Sequence, residues 1–142
     1  MNSPIRILHF SDLHLDRDTF RDQKIVLKSL FTDIRASVAK DGPYGLVFFT
    51  GDLVAKGGYS DVSIQMAIDE FIVPLLEAAA IQPSQLILVP GNHDVNLREQ
   101  SPMAKGAQRS LNSDEEVTTY LTEAISSSIT TGLEGFNLLV DR

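Results

Sequence analysis

Cysteine is absent from this 142-residue chain. That excludes disulfides, thiolate metal sites and cysteine nucleophiles, and it fits a reducing, cytoplasmic setting. Histidine is scarce, with only His9, His14 and His93 present. Long apolar runs are missing too: none approaches the roughly 18 to 20 residues of a membrane-spanning helix. The first residues lack the basic stretch and apolar run of a secretory signal. Positive charge is in deficit, with 12 basic against 19 acidic residues and a net charge of −7. Such a surface repels nucleic acid rather than holding it by counterion release, although bound metal ions can reverse the sign locally and keep a nuclease within reach. Neither a Gly-x-Gly-x-x-Gly fingerprint nor a Gly-x-x-x-x-Gly-Lys loop occurs, which argues against a metal-free nucleotide-binding domain.

What is present is an ordinary globular composition, 43% apolar and 22% charged, in a chain of one domain's length. Residues 5–10 read as a strand. From about Asp18 to Lys40 the positions Leu27, Leu30, Phe31, Ile34 and Val38 follow helical spacing, and Asp41-Gly42-Pro43 ends that helix. Leu46 to Phe49 form a second strand, apolar on both faces as in a central parallel strand. Ser60 can cap a second helix whose stripe includes Ile64, Ile68, Phe71, Leu75 and Ala79. Pro74 predicts a kink or a restart inside it. Leu86 to Val89 make a third strand. Strand, helix, strand, helix, strand implies a parallel sheet with helices packed on its faces. Beyond Asp94, residues 95–112 are polar, the apolar positions from Val117 to Ile129 suggest an amphipathic helix from Ser113 or Asp114 to about Ile129, and Leu138-Leu139-Val140 begins another element.

Each strand runs into a short polar motif: Ser11-Asp12-Leu13-His14, Thr50-Gly51-Asp52-Leu53 and Pro90-Gly91-Asn92-His93-Asp94. The carboxyl ends of parallel strands share one edge, where ligands bind in open α/β folds. Asp12, Asp52 and Asn92, one per strand–helix repeat, should therefore meet in space. Asp12 and His14, two apart, would face the same way on a continuing strand. Carboxylate, imidazole and amide donors together suit manganese, iron or zinc. Glycines before Asp52 and Asn92 allow close backbone approach.

The three motifs in this order resemble the calcineurin-like metallophosphoesterases, with the segment Ile7 to His14 most like the nuclease and small phosphodiesterase branch. The resemblance implies an α/β fold, here the βαβαβ parallel-sheet half of a metallophosphoesterase α/β sandwich followed by a helical C-terminal segment. It implies two divalent metal ions and a metal-bound hydroxide that hydrolyses phosphate esters, nucleotides or nucleic acid among them. By that resemblance Asp12 and His14 bind the first metal, Asp52 bridges both, and Asn92 binds the second. His93 stabilises the phosphoryl transition state or protonates the leaving oxygen, and Asp94 orients His93 or the loop.

Family members complete the site with further histidines, and none follows His93 here. One domain over residues 1–142 is expected, with a motif-bearing core at 5–95 and a mostly helical or irregular extension at 96–142. It is expected to belong to a longer enzyme, to need further domains or self-association, and to have an incomplete site by itself. The alternative is a non-catalytic metal-binding regulatory or interaction module. His9 reads as a strand residue with a satisfied hydrogen bond. Arg98, Lys105 and Arg109 read as solvated cations rather than phosphate ligands.

Overall fold

The computed structural model describes residues 4–55, 59–95, 113–116, 118–119 and 133–141. Three strands, β1 (Ile7–Phe10), β2 (Leu46–Thr50) and β3 (Leu86–Val89), form one sheet in the order β1-β2-β3. Both pairings are parallel, with His9 opposite Phe48 and Phe48 opposite Ile87.

The first crossover is α1 (Phe20–Asp41), which buries Leu27, Phe31 and Ile34 and ends at Gly42 with φ 87°. Arg6 holds this end to β1: its guanidinium donates to the Gly42 carbonyl and to Ser37 Oγ at 2.6 Å, and lies 4.3 Å from the Tyr44 ring centroid. A cation there also opposes the negative end of the helix dipole. The second crossover starts with α2 (Asp61–Ala67), capped by Ser60 in a reciprocal box with Ser63. A π-helical turn, Ile68–Ile72, then leads into α3 (Val73–Ala79). The turn is the restart expected at Pro74, whose nitrogen cannot donate to the carbonyl four residues back. Beyond Ala79 the left-handed Ala80 closes α3, with the Ile81 amide donating to the Leu76 carbonyl at 3.1 Å.

Right-handed crossovers between strands in sequential order place both helical connections on the same side of the sheet. Accordingly α1 packs on α3. Val47 and Phe49 are buried on that side, where Leu8, Phe10, Leu86 and Leu88 join the core. Phe71 lies at its centre, its ring 5.4 Å from Phe49 and 6.3 Å from both Phe10 and Phe31. The opposite face carries Ile7, Ile87 and Val89, exposed by 56%, 40% and 44%. Among the described residues only one face is covered, because the strand order sends both connections to one side.

A last described helix, α4 (Glu134–Val140), takes up the Leu138-Leu139-Val140 run, buries Phe136 and Leu139, and contacts α2. Residues 114–116, 118 and 119 are helical. The remainder of the amphipathic stretch to Ile129, together with Arg98, Lys105 and Arg109, lies outside the described residues. No helix among the described residues is long and apolar enough to cross a membrane.

Candidate metal centre

The three strands end at Phe10, Thr50 and Val89, so their following loops leave the sheet along one edge. The loops after β1 and β2 run side by side. The amides of Asp12, His14 and Leu15 donate to the carbonyls of Gly51, Asp52 and Leu53 at 3.0, 2.9 and 2.8 Å, and Ala55 donates back to Leu15 at 2.9 Å. Leu15, Leu53 and Val54, all buried, anchor the pair in the core.

Within this ladder Asp12, His14 and Asp52 have φ of 58°, 49° and 58°, and Gly51 has φ of 101°. The left-handed region costs a non-glycine residue roughly 1–2 kcal/mol, and it persists where the surroundings over-determine it. The strand therefore does not continue through Asp12 and His14, and strand alternation does not govern their directions. Their side chains nevertheless approach, with Asp12 Oδ1 3.9 Å from His14 Nε2.

The loops after β2 and β3 meet through two glycines and two carboxylates. A Cβ on Gly51 would lie 2.8 Å from Gly91 Cα, and one on Gly91 would lie 2.5 Å from the Asp52 amide nitrogen. No side chain fits at either place. Asp94, 1% exposed, accepts the amide N–H of Asp52 at 2.7 Å, Leu53 at 3.1 Å, Val54 at 3.3 Å and Gly91 at 2.8 Å. It also accepts the Tyr59 hydroxyl at 2.9 Å. Burial, then the Asp94 charge and the hydrogen bond to it, push the Tyr59 phenol above its ordinary range. The bonds Asp94 makes run to loop backbone and Tyr59, not to the His93 ring. Asp52, 8% exposed, accepts the His93 amide on Oδ1 at 2.8 Å.

That last bond turns His93 toward the loop after β1. The His93 and His14 rings stand edge to face with centroids 4.8 Å apart. One donor atom each from His14, Asp52 and His93 lies within 4.8 Å of the others. Asp12 is exposed beside His14, and Asn92 is exposed on the turn that carries His93. His9 is set apart from the cluster, its Nε2 2.7 Å from Thr50 Oγ1 across the sheet.

The His14 imidazole and the Asp52 carboxylate, with the His93 ring beside them, suit a divalent ion of intermediate hardness. Charge balance points the same way. Asp52 and Asp94 are buried side by side, and no lysine or arginine among the described residues pairs with either. Buried carboxylates are costly without a compensating charge, and a cation between His14 and Asp52 would supply it. The donor set fits a metal.

Sequence reasoning placed Asp94 but missed Tyr59. A lone tyrosine between the second motif and the Ser60 cap carries no periodic signal of a partner 35 positions away.

No solved structure matches the chain. A relative in Bacillus subtilis (strain 168), an uncharacterized metallophosphoesterase-like protein named YydB, is 24% identical over 92 residues. The matched stretch is 65% of this chain and 18% of that relative, so the chain spans under a fifth of its length. The calcineurin-like phosphoesterase family matches residues 5–138, taking in all three strand-end motifs. With that match over nearly the whole chain, and the motifs converging at the edge where a ligand binds, the chain belongs to the calcineurin-like phosphoesterase family.

Proposed function

We propose that the protein containing this chain hydrolyses phosphate esters with divalent metal ions, phosphodiesters such as nucleotides or nucleic acid being the substrate class. The observation that carries the reading is the meeting of His14, Asp52 and His93 donor atoms within 4.8 Å at the carboxyl edge of the sheet. Asp12 and His14 hold one ion, Asp52 is shared, and Asn92 serves a second; manganese, iron or zinc suits these donors. Such ions supply positive charge to a phosphoryl group and acidify a water.

The chain's own residues do the rest. The His93 amide fixes the Asp52 carboxylate, and Asp94 holds both loops in register. The His93 imidazole, only partly buried, is in reach of a substrate at the edge and can hold or deliver a proton there. The absence of cysteine favours a reducing compartment, and we assign the protein to the cytoplasm.

Asp52→Asn in the full-length protein tests the reading. It should lower metal-dependent hydrolysis of a nitrophenyl phosphodiester more than about a hundredfold, since even groups behind the ligands contribute about 10- to 100-fold. Turnover that survives this change would overturn the role given to Asp52. Weak binding of a single manganese with no turnover in the wild type would favour a non-catalytic metal-binding module instead.

A further inference from the structure

The side chain that contacts Asp94 from outside the three motifs suggests how the metal-holding loops are kept in place. We propose that Tyr59 is a positioning residue for these loops, linking α4 to them through Asp94. The proposal rests on the metal-site reading given above.

Asp94 gathers amide donors from two loops that are otherwise joined by the His93 amide on Asp52 Oδ1 and by the close contact of Gly51 with Gly91. A carboxylate offers about four lone-pair sites, so its orientation decides where Asp52 and the Gly91 turn sit. The Tyr59 hydroxyl is the side-chain donor on Oδ1. It is a donor at ordinary pH, as any phenol is, and burial and the Asp94 charge raise its titration further.

The other side of Tyr59 is held by α4. Its ring centroid lies 6.1 Å from that of Phe136. Gly135 comes so close that a Cβ there would lie 2.6 Å from Tyr59 Cβ and 3.1 Å from its carbonyl oxygen. Phe136 is buried, and Leu139 in the same helix joins the main core. A rigid tyrosine with few rotamers, fixed at the ring by a packed helix and at the hydroxyl by a buried carboxylate, transmits the seating of α4 to Asp52 and His93.

Two variants of the full chain separate positioning from bulk stability. Tyr59→Phe keeps the ring against Phe136 and removes only the hydroxyl. Gly135→Ala leaves Tyr59 intact and pushes α4 away from it. Manganese binding is measured by calorimetry, and amide hydrogen exchange is followed at Asp52, Leu53, Val54 and Gly91. Both variants should bind manganese about tenfold more weakly, the lower end of the effect of groups behind metal ligands. Exchange at those four amides should accelerate about tenfold while α1 keeps its protection. Unchanged affinity and exchange in Tyr59→Phe would overturn the proposal, as would acceleration spread evenly over α1 and β2. Should the wild type itself bind no manganese, the metal-site reading fails and the exchange arm alone decides: selective acceleration upholds the positioning role, and none defeats it.

Discussion

The backbone amide of Asp52 donates to the carboxylate of Asp94 at 2.7 Å, 42 positions along the chain. This bond is one of several through which Asp94 serves as the common acceptor for two loops, also receiving Leu53, Val54 and Gly91. Asparagine in its place offers one oxygen where the carboxylate offers two, and turns an NH2 toward N–H donors. A buried donor left without a partner costs about 1–3 kcal/mol. Asp94→Asn should therefore destabilise the chain by about 3 kcal/mol in urea unfolding, with manganese affinity falling alongside. A loss below about 1 kcal/mol would show that the loops hold their register without it.

Glycines inside and outside the site divide by what surrounds them. At Gly91 an added methyl group would strike the Asp52 backbone, while at Gly42 nothing lies within 4 Å. Gly42 nevertheless has φ of 87° and ψ of 177°, a region open essentially only to glycine, so Gly42→Ala should cost backbone strain of about 1–3 kcal/mol. Gly91→Ala should cost a comparable amount, about 1–3 kcal/mol for overpacking plus the disturbed bonds to Asp94, but it alone should weaken manganese binding. Equal metal affinity in the two variants would contradict the close approach of the loops.

Much of this arrangement was legible in the residues. The helical spacing of Leu27, Phe31 and Ile34, the Ser60 cap and the three strand-end motifs are local patterns, and each repeat delivers one motif to the same edge. Less legible were the features set by contacts across the chain. That Asp12, His14 and Asp52 adopt left-handed backbone, a region that Asp and His tolerate better than most residues, is selected by the ladder between two loops. The approach of the His93 ring to His14 follows from the bond between its amide and Asp52, which no spacing announces. The single covered face depends on strand order, which alternation within one strand does not encode.

Tyr59 makes alkaline stability a measure of its bond to Asp94. Its phenol is raised above the ordinary value of 10.0 in the folded chain, by burial first and the Asp94 charge second. The unfolded chain then releases this proton from about pH 10 upward while the folded chain keeps it. The contribution is complete below that pH and is lost as pH rises, with a slope of at most about 1.4 kcal/mol per pH unit for one proton. Unfolding free energies taken across this range should fall less steeply for Tyr59→Phe than for the wild type. Parallel curves would mean that the phenol ionises alike in both states.

The exposed sheet face gives a last expectation. Ile7, Ile87 and Val89 project from parallel strands on the side away from α1 and α3, and Ile5 beside them is 70% exposed. Parallel sheets are ordinarily buried on both faces, and a contiguous apolar patch on a soluble chain marks a surface that associates. By itself the chain should self-associate with rising concentration, as sedimentation velocity would report. The paired change Ile87→Lys and Val89→Thr should shift it toward monomer. Because the site residues stand at the sheet edge and their loops are anchored by Leu15, Leu53 and Val54 in the covered core, manganese affinity should change less than about twofold. Loss of metal binding together with self-association would mean that the open face supports the site loops after all. Self-association that persists in the paired variant would assign it to another surface, with the apolar groove of about 370 Å³ between α3, β3 and α4 next to be changed.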